Sequence, residues 1–225
     1  MKKLVMAAAA LAVSTGTATA QDAAYDWSGA YIGAQVGYIW GDSLTRNFDG
    51  GTFDLFATPE ADGTLGGIYL GYNHQFSNDV VVGVDADVAW SRADGDFDGA
   101  RHPTGLPFRP NQHAVDIDYT AALRARLGYA IDRFMPYIAG GVAIGRANFA
   151  YDHAFADAVF SDTLTGWTIG GGVEFAATNN LILRAEYRYS DFGDGSAQEF
   201  PPYPWETQRY DLKTHDFRIG VAYKF

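Results

Sequence analysis

The chain has 225 residues, 48% of them hydrophobic and 15% aromatic, with 26 glycines, a length and composition that point to one large all-β domain. It has no cysteine, which excludes a disulfide framework, a thiolate metal site and a cysteine nucleophile. The formal net charge of −11, from 27 acidic against 16 basic residues, argues against a phosphate-binding surface and hence against a nucleic-acid partner.

Residues 1–20 read as a cleaved secretory signal peptide. Lys2 and Lys3 form the basic head, Leu4 to Val13 the apolar stretch, and Ala18-Thr19-Ala20 the small-residue cleavage site. Without those two lysines the remaining chain, 21–225, carries 14 basic and 27 acidic residues, a net charge of −13. No later apolar stretch approaches the roughly 20 residues that a spanning helix needs. The exported chain is therefore either soluble or a membrane protein that crosses without helices.

From there, eight segments alternate apolar with small or polar residues at period two, near 30–40, 64–76, 80–91, 116–130, 134–149, 163–176, 181–192 and 210–225. That period marks strands with two unlike faces. In the last, Phe217, Ile219, Val221, Tyr223 and Phe225 share one face, against Asp216, Arg218, Gly220, Ala222 and Lys224 on the other. The connections alternate in length. Residues 41–63, 92–115, 150–162 and 193–209 are long, whereas 77–79, 131–133 and 177–180 are tight turns. The pattern is an eight-stranded antiparallel up-and-down barrel, with the length asymmetry of outer-membrane barrels, whose short turns face the periplasm and long loops the outside.

A soluble lipocalin-type barrel would show the same alternation with its faces reversed. The polar face decides, because it carries Gly33, Gly37, Gly67, Gly71, Gly83, Gly141, Gly170, Gly172 and Gly220. Small residues suit a cramped interior and would weaken a water-facing strand. With the apolar face outward, the aromatics sort into two belts, as a membrane barrel requires at its interfaces. The loop-end belt takes Tyr38, Trp40, Trp90, Tyr119, Trp167, Tyr187, Tyr189 and Phe217; the turn-end belt takes Tyr72, Phe76, Tyr129, Phe134, Phe175, Tyr223 and Phe225.

The same facing sends Asp85, Asp87, Asp116, Asp118, Glu174, Glu186 and Asp216 inward, with Arg124, Arg126, Arg184, Arg188, Arg218 and Lys224. Inside a narrow barrel each charge needs a partner, so the expectation is a compensated network filling the lumen, with a polar conduction path as the alternative. The four long loops hold 14 acids and 5 bases, a net −9. Asp94-Gly95-Asp96-Phe97-Asp98-Gly99 opens like a calcium loop, but the twelfth position is Gly105 where a bidentate Glu is needed. It therefore reads as an acidic loop tip. The histidines, His74, His102, His113, His153 and His215, show no metal-ligand spacing, and no Gly-x-Ser-x-Gly elbow occurs. Neither a metal nor a cofactor is expected.

Trp27-Ser28-Gly29-Ala30-Tyr31-Ile32-Gly33, continuing to Gly37-Tyr38, resembles the opening of the opacity-type or porin-family small outer-membrane β-barrels of Gram-negative bacteria. Gly166-Trp167-Thr168-Ile169-Gly170-Gly171-Gly172-Val173-Glu174, followed by Asn180, Glu186-Tyr187-Arg188-Tyr189 and Asp191, is a second match. The resemblance covers essentially all of 21–225. It implies a barrel in the outer membrane, in contact with lipid and lipopolysaccharide, whose C-terminal Phe225 is read by the barrel-assembly machinery. Family members are described as surface antigens, adhesins, envelope stabilisers, small porins and haemin binders, so the shared motifs name a barrel and no ligand. Some small barrels are lipid A-modifying enzymes with a catalytic histidine and serine. His215 stands in His215-Asp216-Phe217 without a serine nearby on its face, a departure from that pattern. The expectation is a non-enzymatic, monomeric surface protein of structural, antigen or adhesion type, in contact with host or ligand through its loops. The alternatives are a narrow porin and a loop-mediated haemin binder.

Overall fold

The computed structural model describes the backbone of residues 25–49, 53–57, 60–98, 112–153, 156–200 and 203–225. Side chains are described for 25–41, 62–93, 117–146, 163–193 and 212–225. The signal segment 1–20 lies outside the described residues. The strands, in order, are β1 (Gly29–Asp49), β2 (Phe53–Ala57), β3 (Glu60–Gln75), β4 (Val80–Asp98), β5 (Gln112–Tyr129), β6 (Phe134–His153), β7 (Ala156–Ala176), β8 (Leu181–Phe200) and β9 (Tyr203–Lys224). From β3 to β9 each pairs antiparallel with the next, β3 pairs with β1, and β9 returns to β1 from Tyr31↔Lys224 to Phe48↔Thr207. The sheet is thereby closed and has no edge along the barrel wall. β2 pairs only with the top of β1, Thr45↔Ala57 to Asp49↔Phe53, and prolongs the line of β3. The barrel therefore has eight staves. Among the described residues no helix is long and apolar enough to cross a membrane; the chain crosses with strands.

Three short turns lie at one end. The carbonyl of Phe76 accepts from the Asp79 amide and that of Ile131 from the Phe134 amide, both at 3.0 Å. Asp79 (φ 65°) and Asp132 (φ 52°) take the left-handed conformation that a short polar side chain tolerates. At the other end the staves run far beyond the membrane. β6 has 20 residues, β7 21 and β9 22, where a tilted span needs about 9–11. Much of 41–63, 92–115, 150–162 and 193–209, which read as loop, is therefore paired strand. Outside the bilayer neither hairpin face must be apolar, so the alternation that betrays a strand disappears while the backbone ladder continues.

Within the membrane part, the alternation separates wall from lumen. Leu123 and Ile138 are each 60% exposed on the outer wall, whereas the neighbouring Arg124 and Ala139 are buried. An apolar outside with charges within is the inverse of a soluble barrel and fits a lipid solvent. Register shifts interrupt the pattern between Trp90 and Ala93 on β4 and between Ile117 and Tyr119 on β5, and two more lie higher on β8, at Asp191/Asp194 and Gln198/Phe200. The first two turn Ile117 inward and Asp118 outward.

Candidate functional site

The middle of the lumen is occupied by ten charged side chains, five carboxylates and five guanidinium groups, none more than 7% exposed. They alternate in sign along one connected path. Arg126 and Arg184 share Glu174, at 3.1 and 2.7 Å. Arg184 also faces Asp85 at 3.7 Å. Arg124 grips Asp85 and Glu186, each through two hydrogen bonds of 2.8–3.0 Å. Arg188 joins Glu186 to Asp87, and Arg218 joins Asp87 to Asp216. β4, β5, β7, β8 and β9 supply these groups. The planar fork of arginine suits this task, because it presents several donors to two carboxylates at fixed geometry.

β1, β3 and β6 contribute tyrosines instead. The Tyr31 hydroxyl accepts from Arg126 at 2.8 Å, and the Tyr137 hydroxyl donates to Glu186 at 2.6 Å. Arg126 lies 4.1 Å over the Tyr137 ring and Arg184 4.1 Å over the Tyr69 ring. Each ring lies across the ladder from a glycine, in the pairs Tyr31↔Gly71, Gly33↔Tyr69 and Tyr137↔Gly172. A Cβ on Gly33 would sit 2.5 Å from Tyr69 Cζ, and one on Gly172 3.0 Å from the Tyr137 hydroxyl. These glycines leave room both for the rings and for the neighbouring strand, since the same Cβ atoms would lie 2.5 Å from the Val221 carbonyl oxygen and 2.3 Å from that of Ala185.

Below the charges the lumen is closed by apolar side chains. Trp27 is fully buried, with Tyr25 edge-on at 4.9 Å, in a cluster with Tyr31, Val81, Met135 and Ile182. The segment that carries Trp27 is tied to every short turn. The Trp27 amide donates to Gln75 Oε1 (2.8 Å), its indole to the Asp132 carbonyl (3.0 Å), and Tyr25 Oη to the Asn179 carbonyl (3.3 Å). Asp26 accepts from the Ser28 amide at 2.8 Å. That bond, helped by nearby Lys224, holds its carboxyl below the usual range despite some burial. Above the charges are two further apolar clusters, Phe192 with Leu164 and Leu212, and Ile39 with Leu65 and Ile117.

Of the thirteen residues expected in the lumen network, ten therefore occupy it. Asp118 does not. The bulge puts it on the outer wall, about half exposed and 3.9 Å from Arg146. Lys224 lies at the short-turn rim, donating to the Asp26 carbonyl with its ammonium 4.5 Å over the Tyr25 ring. The Asp116 side chain lies outside the described residues. The belt residues Tyr38, Trp40, Trp90, Trp167 and Tyr187 are exposed on the wall toward the long hairpins, with Tyr119 half-buried among them. Tyr72, Phe76, Tyr129, Phe175 and Tyr223 are exposed at the opposite end, together with Phe225. His215 faces outward, stacked on Trp40 and 2.7 Å from the Tyr187 hydroxyl. Asp94 to Asp98 belong to β4 rather than to a calcium loop, and Gly99 falls outside the described residues. Among the residues described there is no group of three metal-ligating side chains.

Tyr31, Tyr69, Tyr137 and Trp27 also line the lumen, beyond the residues expected there. For the tyrosines the signal was present, since each shares strand parity with inward glycines or alanines. Trp27 precedes β1, so no alternation places it.

Residues 7–225 match the outer membrane protein β-barrel domain family. The 31 kDa outer-membrane immunogenic protein of Brucella melitensis is 33% identical over 215 residues, 89% of this chain and 85% of that protein. The 25 kDa outer-membrane immunogenic protein of the same species is 30% identical, covering 100% of this chain and 99% of that protein. Among solved structures, the outer membrane protein OprG of Pseudomonas aeruginosa superposes with a TM-score of 0.54 at 16% identity, over 90% of this chain and 98% of that one, a likeness of fold.

Proposed function

This chain belongs to the outer membrane protein β-barrel domain family, and from that premise we propose that it is a non-conducting, non-enzymatic anchor that presents long acidic hairpins at the cell surface. It resides in the outer membrane, as its relatives do. One observation carries the reading: among the described side chains, the Trp27 cluster, the ten paired charges and the apolar clusters above them follow one another along the lumen. In this reading the lumen charges pair with one another rather than with a passing ion. Display is then what remains for the staves that run on past the membrane. The immunogenic character named for the Brucella proteins favours surface exposure of the corresponding hairpins here. We assign biogenesis to the assembly machinery acting on the exposed terminal Phe225, and the working state to a monomer in contact with outer-leaflet lipid and lipopolysaccharide. Host or ligand contact falls to the hairpins.

Replacing the β8–β9 hairpin above Asp191 and Leu212 by a short turn tests display. The variant is expected to remain heat-modifiable on gels while antiserum against the folded protein binds intact cells less. Unchanged binding by this variant, and by the matching β6–β7 variant, would refute display by the hairpins.

A further inference from the structure

On the outer wall, where β4, β3, β1 and β9 lie side by side, the surface is indented by a groove of about 720 Å³. Two cross-strand rows build it. The lower row is Trp90↔Gly66↔Val36↔Ile219, and the row nearer the surface is Arg92↔Thr64↔Tyr38↔Phe217. Gly66 makes the trough, lying between an exposed indole and an exposed valine. A Cβ there would meet no heavy atom closer than 3.9 Å. Unlike Gly33 and Gly172, Gly66 is thus not required by a close neighbour, and its bareness keeps the groove open. Tyr38 is held as one wall by its hydroxyl, which donates to Asp62.

The polar end of the groove is as specific. The β4 bulge leaves Ser91 and Arg92 without partners on β5 while they stay paired to β3. Alternation along β4 continues through it, with Trp90 and Arg92 on the outer face and Ser91 and Ala93 on the inner one. Arg92 is exposed and has no ion-pair partner among the described residues, and Ser91 Oγ is buried without a hydrogen bond. Trp90 and Tyr38 belong to the aromatic belt, which sits at the headgroup level of the outer leaflet. The guanidinium is thus one step above the apolar trough, at the depth of a lipid phosphate.

We propose that this groove is a site for one phosphate-bearing lipid of the outer leaflet, its phosphate on Arg92 with Thr64 and an acyl chain along Gly66. The site is independent of whether the lumen conducts. Native mass spectrometry of the folded protein released from detergent, with phosphatidic acid or the diacylglycerol of the same chains, tests it. One phosphatidic acid is expected to be retained, roughly tenfold more than diacylglycerol. Arg92→Gln should abolish that preference and Gly66→Leu should remove retention of both lipids, with each variant still heat-modifiable. Millimolar inorganic phosphate should not displace the lipid. Equal retention of the two lipids, wild-type behaviour of Arg92→Gln and Gly66→Leu, or displacement by inorganic phosphate would each overturn the proposal.

Discussion

Arg124 holds Asp85 and Glu186 through four hydrogen bonds and is itself 2% exposed. Removing it strands two carboxylates in a closed lumen, a far larger effect than loss of an exposed ion pair. Arg124→Met is expected to cost about 3–5 kcal/mol in denaturant unfolding from detergent; a loss below about 1 kcal/mol would mean that the lumen is solvated. Two glycines make a complementary comparison at the same scale. Gly33→Ala drives a methyl into the Tyr69 ring and should cost about 1–3 kcal/mol. Gly66→Ala points into open space and should stay within about 0.5 kcal/mol. Equal effects would show that Gly33 answers to strand propensity and not to the crowding by Tyr69 and the Val221 carbonyl.

β5 shows where an element departs from its own pattern. Asp118 has the parity of Arg124 and Arg126, and strict alternation places all three in the lumen. The bulge at Ile117–Tyr119 consumes one residue, so Arg124 and Arg126 are inside and Asp118 is outside. Nothing in the local composition announces a bulge, since neither glycine nor proline occupies 117–119. Asp118→Asn is accordingly expected to change stability by less than about 1 kcal/mol, as an exposed pair allows, in the same unfolding assay in which Asp85→Asn loses several times that. The membrane-spanning halves of the strands were legible because lipid outside and polar packing inside impose period two. Their upper halves were not, because two wet faces impose no pattern. The ten-charge network was legible through parity alone, while its exact pairing needed the register of β4, β5, β7, β8 and β9 against one another.

At the scale of the molecule, the described side chains occupy the lumen at three levels. Trp27 and its ties to Gln75, Asp132 and Asn179 close the short-turn end, paired charges fill the middle, and Ile39, Phe192 and their neighbours cap the network. A narrow porin would need a continuous polar path past these groups. The Arg126–Glu174 and Arg124–Glu186 pairs are instead engaged with each other and with Tyr31 and Tyr137, while Arg126 Nη2 and Glu174 Oε2 make no hydrogen bond within the protein. The outer wall meanwhile carries the apolar band and two aromatic belts, so contact with water falls to the short turns and the long hairpins. The measurement that bears most directly on this account is single-channel conductance of the refolded, heat-modifiable protein in a planar bilayer, with a boiled control. The account predicts a silent barrel. Reproducible unitary steps that change with Arg126→Ala or Glu186→Ala would contradict it and make the lumen a conducting path.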